Sequence, residues 1–180
     1  LSKASGEYIL YVDSDDYLKS NAVELIIETE KKYQGNNNIS SFWFLQENIL
    51  GKIIGDEFNG EEFVDNYTNI MVNSGIRGDK KSVYYTLIRK NNPFPVFPGE
   101  KFIGESTIHQ KISRNYKSVF INEPIYISEY LEDGLTVAGK KMRFQNPLGG
   151  IQNSIEFMDE SVNLHFKLKK IILYTSYCIH

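Results

Sequence analysis

The feature that constrains this chain most is a short apolar run that ends in a cluster of acidic residues. Tyr8–Val12 is apolar, aromatic or β-branched at every position, and Asp13–Asp16 comes directly after it with the sequence Asp-Ser-Asp-Asp. A run of this length and composition, preceded by Gly6, predicts a strand buried on both faces of a parallel sheet. Because ligands bind beyond the carboxyl ends of strands in α/β sheets, the acidic cluster is predicted to lie in a functional site.

The spacing of the acidic residues indicates a site for a divalent cation. Clustered carboxylates repel one another and destabilise a fold unless a cation lies among them. Oxygen ligands suit Mg²⁺ or Mn²⁺, and Mg²⁺ is usually held by one or two carboxylates together with substrate phosphates. Alternate residues of an extended chain point the same way, so Asp13 and Asp15 can face one ligand. The competing interpretation, an acidic residue at a helix start, fits Asp16 best.

Two other kinds of site place acidic residues at a similar spacing. An EF-hand loop that begins at Asp13 would have Tyr17 and Leu18 at its fifth and sixth positions. A calcium ligand and a glycine are needed there, so the EF-hand is excluded. A phosphatase of the haloacid dehalogenase type also places Asp-x-Asp after an apolar strand. It expects Thr or Val where this chain has Tyr17, and it remains the weaker alternative.

Periodicity and turn residues predict helices and strands along most of the chain. A helix is predicted from Asn21 to about Gln34, capped by Ser20. The segment Ser82–Ile88 fits either a strand or a helix. Further strands are predicted at Ile39–Leu45, Ile49–Ile54, Val119–Ile121 and Ile125–Ile127, further helices at Gly60–Val64, Glu105–Arg114, Ile151–Val162 and Leu164–Tyr177, and irregular segments at Asn91–Gly99 and Leu131–Lys141.

Composition narrows the class of protein. Hydrophobic residues make up 41% and charged residues 24% of the chain, which is typical of globular proteins. The net charge of -3 and the lack of a basic stripe argue against a nucleic-acid partner. A single cysteine, Cys178, suits a reducing compartment, and no apolar run reaches the ~18 residues of a membrane span. We therefore expect a cytoplasmic protein, with most aromatic residues, including Trp43, in its core.

The acidic cluster and its lead-in together resemble a known family signature. Ala4–Leu18 is similar to the central motif of the family 2 inverting glycosyltransferases, A-x-G-x-Y, four apolar residues and D-x-D-D. Three downstream segments resemble further parts of that family, so the resemblance runs from Leu1 to about Thr136. These segments are Val83–Arg89, Phe97–Glu105 and Asn122–Thr136.

The resemblance implies an α/β fold of the GT-A type, a mixed sheet flanked by helices. Residues 1–140 are expected to form the C-terminal half of the catalytic domain, with the metal motif and the acceptor side. Residues 141–180 are expected to form a helical C-terminal extension. The strands that hold the nucleotide base in the family precede this motif and are expected to be missing. We therefore expect an exposed sheet edge, weak or no nucleotide binding and no activity for this chain alone.

The resemblance also implies a reaction. A hexosyl-type sugar would pass, with inversion, from a nucleoside-diphosphate sugar to a glycan or lipid-linked acceptor in surface polysaccharide synthesis. Asp15 would bind Mn²⁺ or Mg²⁺, and Asp13 would contact the metal or the nucleotide ribose. The family's base is the Asp of a Glu-Asp pair, where this chain has Glu105 and Ser106. Because a serine hydroxyl is not a general base unaided, Glu105 is the candidate base.

Other residues are candidates for contacts with partners. Tyr84 and His109 are candidate acceptor contacts, although core packing is the competing interpretation for Tyr84. The stretch after Ser161 carries several lysines and no acidic residue, which would suit a peripheral contact with the anionic inner face of a membrane. An ordinary solvated helix face is the competing interpretation, and an oligomer is also compatible with the sequence. A non-catalytic module that binds glycan or protein is the alternative function, favoured by Ser106 and disfavoured by the intact acidic cluster.

Overall fold

The computed structural model describes residues 1–128 and 135–179. The chain divides into two compact units. The sheet unit consists of Leu1–Asn91 and Asn115–Glu129, and the helical unit consists of Asn92–Arg114 and Tyr130–His180. Within the helical unit, the segment before Arg114 packs with the C-terminal helices.

The sheet unit is built on a mixed sheet of six strands in the described part of the chain. Its order is β1-β5-β3-β6-β2, with β4 also paired to β6. Only β3 and β6 run parallel among these pairs, and the others are antiparallel. The predicted mixed α/β sheet is confirmed. The strands are β1 (Tyr8–Leu10), β2 (Tyr17–Leu18), β3 (Ile39–Glu47), β4 (Glu62–Asp65), β5 (Lys81–Tyr85) and β6 (Lys117–Ile127).

Strand β1 differs from its prediction. It ends at Leu10, pairs antiparallel with β5 at one end of the sheet order, and is only half-buried. Tyr11 and Val12 lie beyond it and are exposed. The expectation of a strand buried on both faces of a parallel sheet is therefore wrong for this structure. An apolar run indicates a strand, but composition alone does not distinguish an edge strand from a central one.

The core of the sheet unit lies on both faces of β3, where every residue except the last is buried. Phe42 and Phe44 share one cluster with Ala22 and Ile26 of the helix α1 (Ala22–Tyr33), so that helix covers one face. On the other face Trp43 stacks on Phe120 with ring centroids 6.2 Å apart. Alternation of side chains along the strand produces these two packed layers. The predicted core position of Trp43 is confirmed.

Three local predictions in the sheet unit are wrong. In the first, pairing with a neighbouring strand overrides the local preference for a helix. Gly60–Val64 does not open a helix, since β4 forms there and pairs with β6. Ile49–Ile54 contributes only one isolated bridge, between Glu47 and Ile53. Ser20 does not cap α1, because Asn21 occupies the cap position and makes no side-chain cap hydrogen bond.

Two ambiguous segments resolve into single solutions. Ser82–Ile88 is divided between β5 and the short helix α2 (Thr86–Asn91). The two strands predicted around Pro124 are one continuous strand, β6. The ladder with β3 shifts register on both sides of the pair Leu45–Pro124. Proline has no N–H to donate, so it is tolerated at such an irregularity.

The helical unit contains four helices in its described residues: α3 (Ser106–Ser113), α4 (Leu135–Phe144), α5 (Pro147–Glu156) and α6 (Leu164–Ile179). The predicted helices at 105–114, 151–162 and 164–177 are confirmed with shifted ends. The predicted irregular segment Leu131–Lys141 is wrong from Leu135 onward, and residues 131–134 lie outside the described residues. None of the described helices is long and apolar enough to cross a membrane.

Close backbone contacts and charge pairs hold the helical unit together. The Glu100 carboxylate accepts the main-chain N–H groups of Leu148 and Gly149 at 2.6 and 2.7 Å, which satisfies the free amides of the first turn of α5. A Cβ at Gly149 would lie 2.5 Å from the Phe102 carbonyl oxygen, so this approach requires glycine. Arg114 after α3 pairs with the Glu156 carboxylate at 2.6 Å.

Candidate functional site

The acidic residues form a tight turn that leaves the sheet after β1 and returns to it at β2. The Asp16 N–H donates to the Asp13 carbonyl oxygen at 3.2 Å, which closes the turn. Both ends are anchored, because β1 pairs with β5 while Leu18 of β2 lies opposite Tyr126 of β6. The turn is therefore held by two strands that are far from it in sequence.

Tyr126 fixes the start of this acidic turn. Its hydroxyl accepts the Asp13 main-chain N–H at 3.0 Å and lies 3.5 Å from the Asp13 Oδ2. Burial, together with a hydrogen bond from its hydroxyl to Asp16, raises the pKa of Tyr126 above its ordinary value. The phenol therefore stays protonated at physiological pH and acts as a neutral anchor for the turn.

Lys81 places a positive charge beside the same turn. Its ammonium lies 3.8 Å from the Asp13 Oδ2 and 3.7 Å from the ring centroid of Tyr126. The Lys81 side chain is 12% exposed, whereas that of Asp13 is 71% exposed. A cation over an aromatic ring is stabilised by the ring quadrupole. The lysine is therefore held in place while the carboxylate stays accessible to a ligand.

Sequence reasoning did not identify Lys81 or Tyr126 as site residues. Lys81 opens β5 and Tyr126 lies near the end of β6, and only the pairing of those strands brings both to the turn. The available signal was weak: Lys81 is a lone basic residue that begins an otherwise apolar and aromatic strand. Nothing in the local pattern shows that this lysine is mostly buried.

The acidic turn suits a divalent cation that a substrate helps to hold. Asp13 and Asp15 are both exposed and offer hard oxygen ligands of the kind that Mg²⁺ and Mn²⁺ prefer. Across residues 1–128 and 135–179, no group of three or more His, Cys, Asp or Glu side chains is arranged to hold a metal by itself. The donor set fits a cation that takes its remaining ligands from a diphosphate and water rather than from a closed protein cage.

The remaining predicted site residues lie elsewhere. Glu105 is exposed at the cap position of α3, and His109 is half-buried one turn further along that helix. Both belong to the helical unit, whereas Asp13 and Asp15 belong to the sheet unit. Tyr84 is 2% exposed and packs edge-on against Trp43 in the core. The core interpretation therefore replaces the acceptor contact for Tyr84, because no open surface is left for its ring to stack on.

Ser106, which follows Glu105, is held by a neighbouring helix. Asn153 of α5 donates through Nδ2 to the Ser106 Oγ at 3.0 Å and to the Thr107 Oγ1 at 2.9 Å. The Ser106 oxygen accepts in this arrangement, so its own proton remains available to a ligand. The residue that departs from the expected Glu-Asp pair is thus part of a polar network within the helical unit.

Comparison with known proteins places this geometry in context. The chain is 26% identical to the glycosyltransferase GlyG of Streptococcus pneumoniae serotype 4 over 215 residues, covering 94% of this chain and 70% of GlyG. Its structure is similar to crystal structures of S. aureus TarS 1-349 in complex with UDP and with UDP-GlcNAc, at a TM-score of 0.64 for each. The chain has a glycosyltransferase fold. No family model matches the sequence.

The glycosyltransferase fold confirms the predicted resemblance and the predicted GT-A-like α/β class. The match to TarS covers 98% of this chain at 13% and 14% identity. Similarity at this level shows the fold but not the roles of individual residues. The chain spans about half the length of the TarS structures, at 47% and 49%. The comparisons lend no support to the phosphatase alternative.

Proposed function

We propose that this chain forms part of an enzyme that transfers a hexosyl-type sugar from a nucleoside-diphosphate sugar, with inversion, to a glycan or lipid-linked acceptor in surface polysaccharide synthesis. One observation carries the proposal: an exposed, anchored acidic turn follows β1 in a chain with a glycosyltransferase fold. The TarS structures with the same fold hold UDP and UDP-GlcNAc, which supports a nucleotide-sugar donor. The proposal concerns the full-length protein, since the chain spans about half of those structures.

The sheet unit would supply the donor side of the reaction. Asp15, with Asp13, would hold Mn²⁺ or Mg²⁺, and Asp13 would alternatively contact the ribose. The ion, when bound, supplies positive charge that stabilises the leaving diphosphate. Lys81 adds a fixed positive charge beside the turn, and Tyr126 keeps the turn in one position. An anchored turn requires little reorganisation when the donor binds, and this favours catalysis.

The helical unit would supply the acceptor side. Glu105 would take the proton of the acceptor hydroxyl as its oxygen forms a bond to the anomeric carbon and the bond from that carbon to the diphosphate breaks. The electron pair of the broken bond leaves with the diphosphate. General base catalysis of this kind contributes ~10²–10⁴-fold. His109, on the next turn of α3, is proposed as an acceptor contact.

The donor site is tested by thermal stability of the full-length protein with Mn²⁺ and a panel of nucleoside diphosphates and their sugars. A bound ligand raises the melting temperature in proportion to its concentration above Kd. We expect a rise with at least one nucleotide, loss of the rise in Asp15→Asn, and its retention in Asp16→Asn, a matched change in the same turn. The absence of a shift with every nucleotide would contradict the proposal.

A second function, a non-catalytic module that binds glycan or protein, is favoured by one observation. Ser106 stands at the expected base position and its hydroxyl is tied to Asn153. The variant Ser106→Asp distinguishes the two functions in an assay of transfer and donor hydrolysis. A large gain in activity over the wild type would show that the serine weakens the enzyme. If the wild type is active and Glu105→Gln abolishes that activity, Glu105 already serves as the general base. Inactivity of every variant would favour the binding module.

A peripheral membrane contact is proposed for α6. Many apolar residues of this helix are exposed, and Lys167 and Lys169 lie among them. An exposed apolar surface with lysines suits an anionic lipid surface. Co-sedimentation with phosphatidylglycerol vesicles should fall in the double variant K167E/K169E, and equal binding to neutral phosphatidylcholine vesicles would contradict it. The exposed apolar residues are Leu164, Leu168, Ile171, Ile172, Leu173, Tyr174 and Ile179.

A further inference from the structure

A small cavity lies inside the helical unit, apart from the acidic turn. Its volume is about 120 Å³, and its walls come from α4, α5, α6 and the segment that leads into α3. Two of its described lining residues, Arg143 and Lys170, are cations, and none is acidic. A pocket whose only charges are positive is a candidate anion site.

Lys170 is the centre of this cavity. Its ammonium donates to the Asn153 Oδ1 at 2.5 Å and lies 4.2 Å from the ring centroid of Phe157. Burial, with a smaller contribution from the charge of Arg143, lowers the pKa of Lys170 to about 8. No carboxylate pairs with Lys170 in the described residues. A buried charge without a counter-ion is costly, and an anionic ligand would offset that cost.

Two polar side chains of the cavity lining, besides Lys170, can donate hydrogen bonds to a ligand. Asn153 uses both groups of its amide within the protein, with Nδ2 donating to Ser106 and Thr107 and Oδ1 accepting from Lys170. The Ser106 oxygen is therefore an acceptor already in use, and its proton remains to be donated. Arg143 is exposed at the rim and offers guanidinium donors with the fork geometry that suits phosphate.

We propose that this cavity is a binding site for a phosphate group, held by the Lys170 ammonium, the Ser106 hydroxyl and the Arg143 guanidinium. The cavity, of about 120 Å³, has room for one compact tetrahedral anion. Ser106 directly follows Glu105 in the chain, so the site would adjoin the segment that carries the candidate base. Its role as a recognised part of the acceptor rests on the proposed function, whereas its existence as a phosphate site does not.

Calorimetric titration of the full-length protein with inorganic phosphate at constant ionic strength tests the site. We expect saturable binding that weakens at least about tenfold in Lys170→Met, which keeps the apolar contact with Phe157 and removes the charge, a loss of ~1.4 kcal/mol. The matched variant Lys111→Met, at an exposed lysine of α3, should bind as the wild type does. Equal phosphate binding in Lys170→Met, or no binding by the wild type, would overturn the proposal.

Two further variants and a competition experiment separate a phosphate site from a folding defect and from the donor site. Asn153→Asp sets a carboxylate beside Lys170 and should abolish phosphate binding while circular dichroism stays unchanged, so a folding defect in Lys170→Met does not decide the outcome. Asp15→Asn should lose nucleotide binding but keep phosphate binding, which separates failure of this site from failure of the donor site. Competition between glycerol phosphate and inorganic phosphate, without competition from UDP, would assign the phosphate to the acceptor. Competition from UDP would overturn that assignment.

Discussion

The two units of this chain arrange their charges in opposite ways. In the sheet unit the carboxylates of the acidic turn are exposed, and one mostly buried lysine stands behind them. In the helical unit a cavity buries a lysine without a carboxylate partner among the described residues. A metal-and-diphosphate site needs accessible oxygen ligands, whereas an anion site needs hydrogen-bond donors that are shielded from water. The contrast supports the two binding chemistries that we propose, one indicated by a sequence motif and the other by packing alone.

The largest expected effect concerns Glu105, an exposed carboxylate in the unit otherwise marked by buried positive charge. Glu105→Gln should lower kcat of the full-length enzyme by ~10²–10⁴-fold with little change in donor KM, because it removes only a proton acceptor. Glu123→Gln, an equally exposed change on β6, is the control and should leave kcat unchanged. A wild-type kcat in Glu105→Gln would show that Glu105 of the helical unit is not the general base.

The sheet unit should depend on its core far more than on its surface. Phe42→Ala removes a fully buried ring and should lower the free energy of unfolding by ~3–5 kcal/mol. Leu87→Ala changes a residue that is mostly exposed and should cost less than about 0.5 kcal/mol. Urea unfolding monitored by tryptophan fluorescence provides the comparison, since Trp43 packs in the same sheet. Equal costs would show that β3 is not the centre of this core.

Lys170 of the helical unit should make the stability of the fold depend on pH. Below about pH 8 the folded state carries the full cost of charging Lys170. Between pH 8 and the ordinary lysine pKa of 10.5, the folded state loses its proton before the unfolded state does, so this lysine makes stability rise with pH. The gain should be on the order of 3 kcal/mol. Lys170→Met should abolish it and Lys169→Met should not, as measured by urea midpoints across that range.

The smallest effect separates the two roles of Lys81. Because its ammonium competes with a metal for Asp13, Lys81→Met should tighten binding of Mn²⁺ alone. Loss of its charge should at the same time weaken binding of UDP in saturating Mn²⁺. Each change should be roughly 1 kcal/mol, about fivefold, since the pair is partly solvated. Calorimetric titrations check the direction of both changes, with Lys52→Met, a change at an exposed lysine, as the control. Weaker binding of both ligands would show that Lys81 only supports the fold.

Much of the fold follows from local patterns, and the errors in predicting strands share one cause. Continuous apolar and aromatic content predicted β3, and helical periodicity predicted α1, α3 and α6 with small errors at their ends. The failures, at β4 and at Ile49–Ile54, occur where strand pairing with β6 or its absence decides the outcome. Cross-strand pairing depends on residues that are distant in sequence, so no local window contains the information.

The sequence by itself determined that Asp13 and Asp15 follow a strand, because both the strand pattern and the acidic spacing are local properties. It indicated an extended segment at these residues, whereas the structure has a turn. Tertiary structure alone decided that this strand lies at a sheet edge, that Tyr84 is buried, and that Lys81 stands behind the turn. It also decided that Lys170, one lysine of an apparently basic surface helix, lies in a cavity with Asn153 and Ser106. The physical reason is that burial and electrostatic environment are set by the groups that packing brings together, and these come from separate parts of the chain.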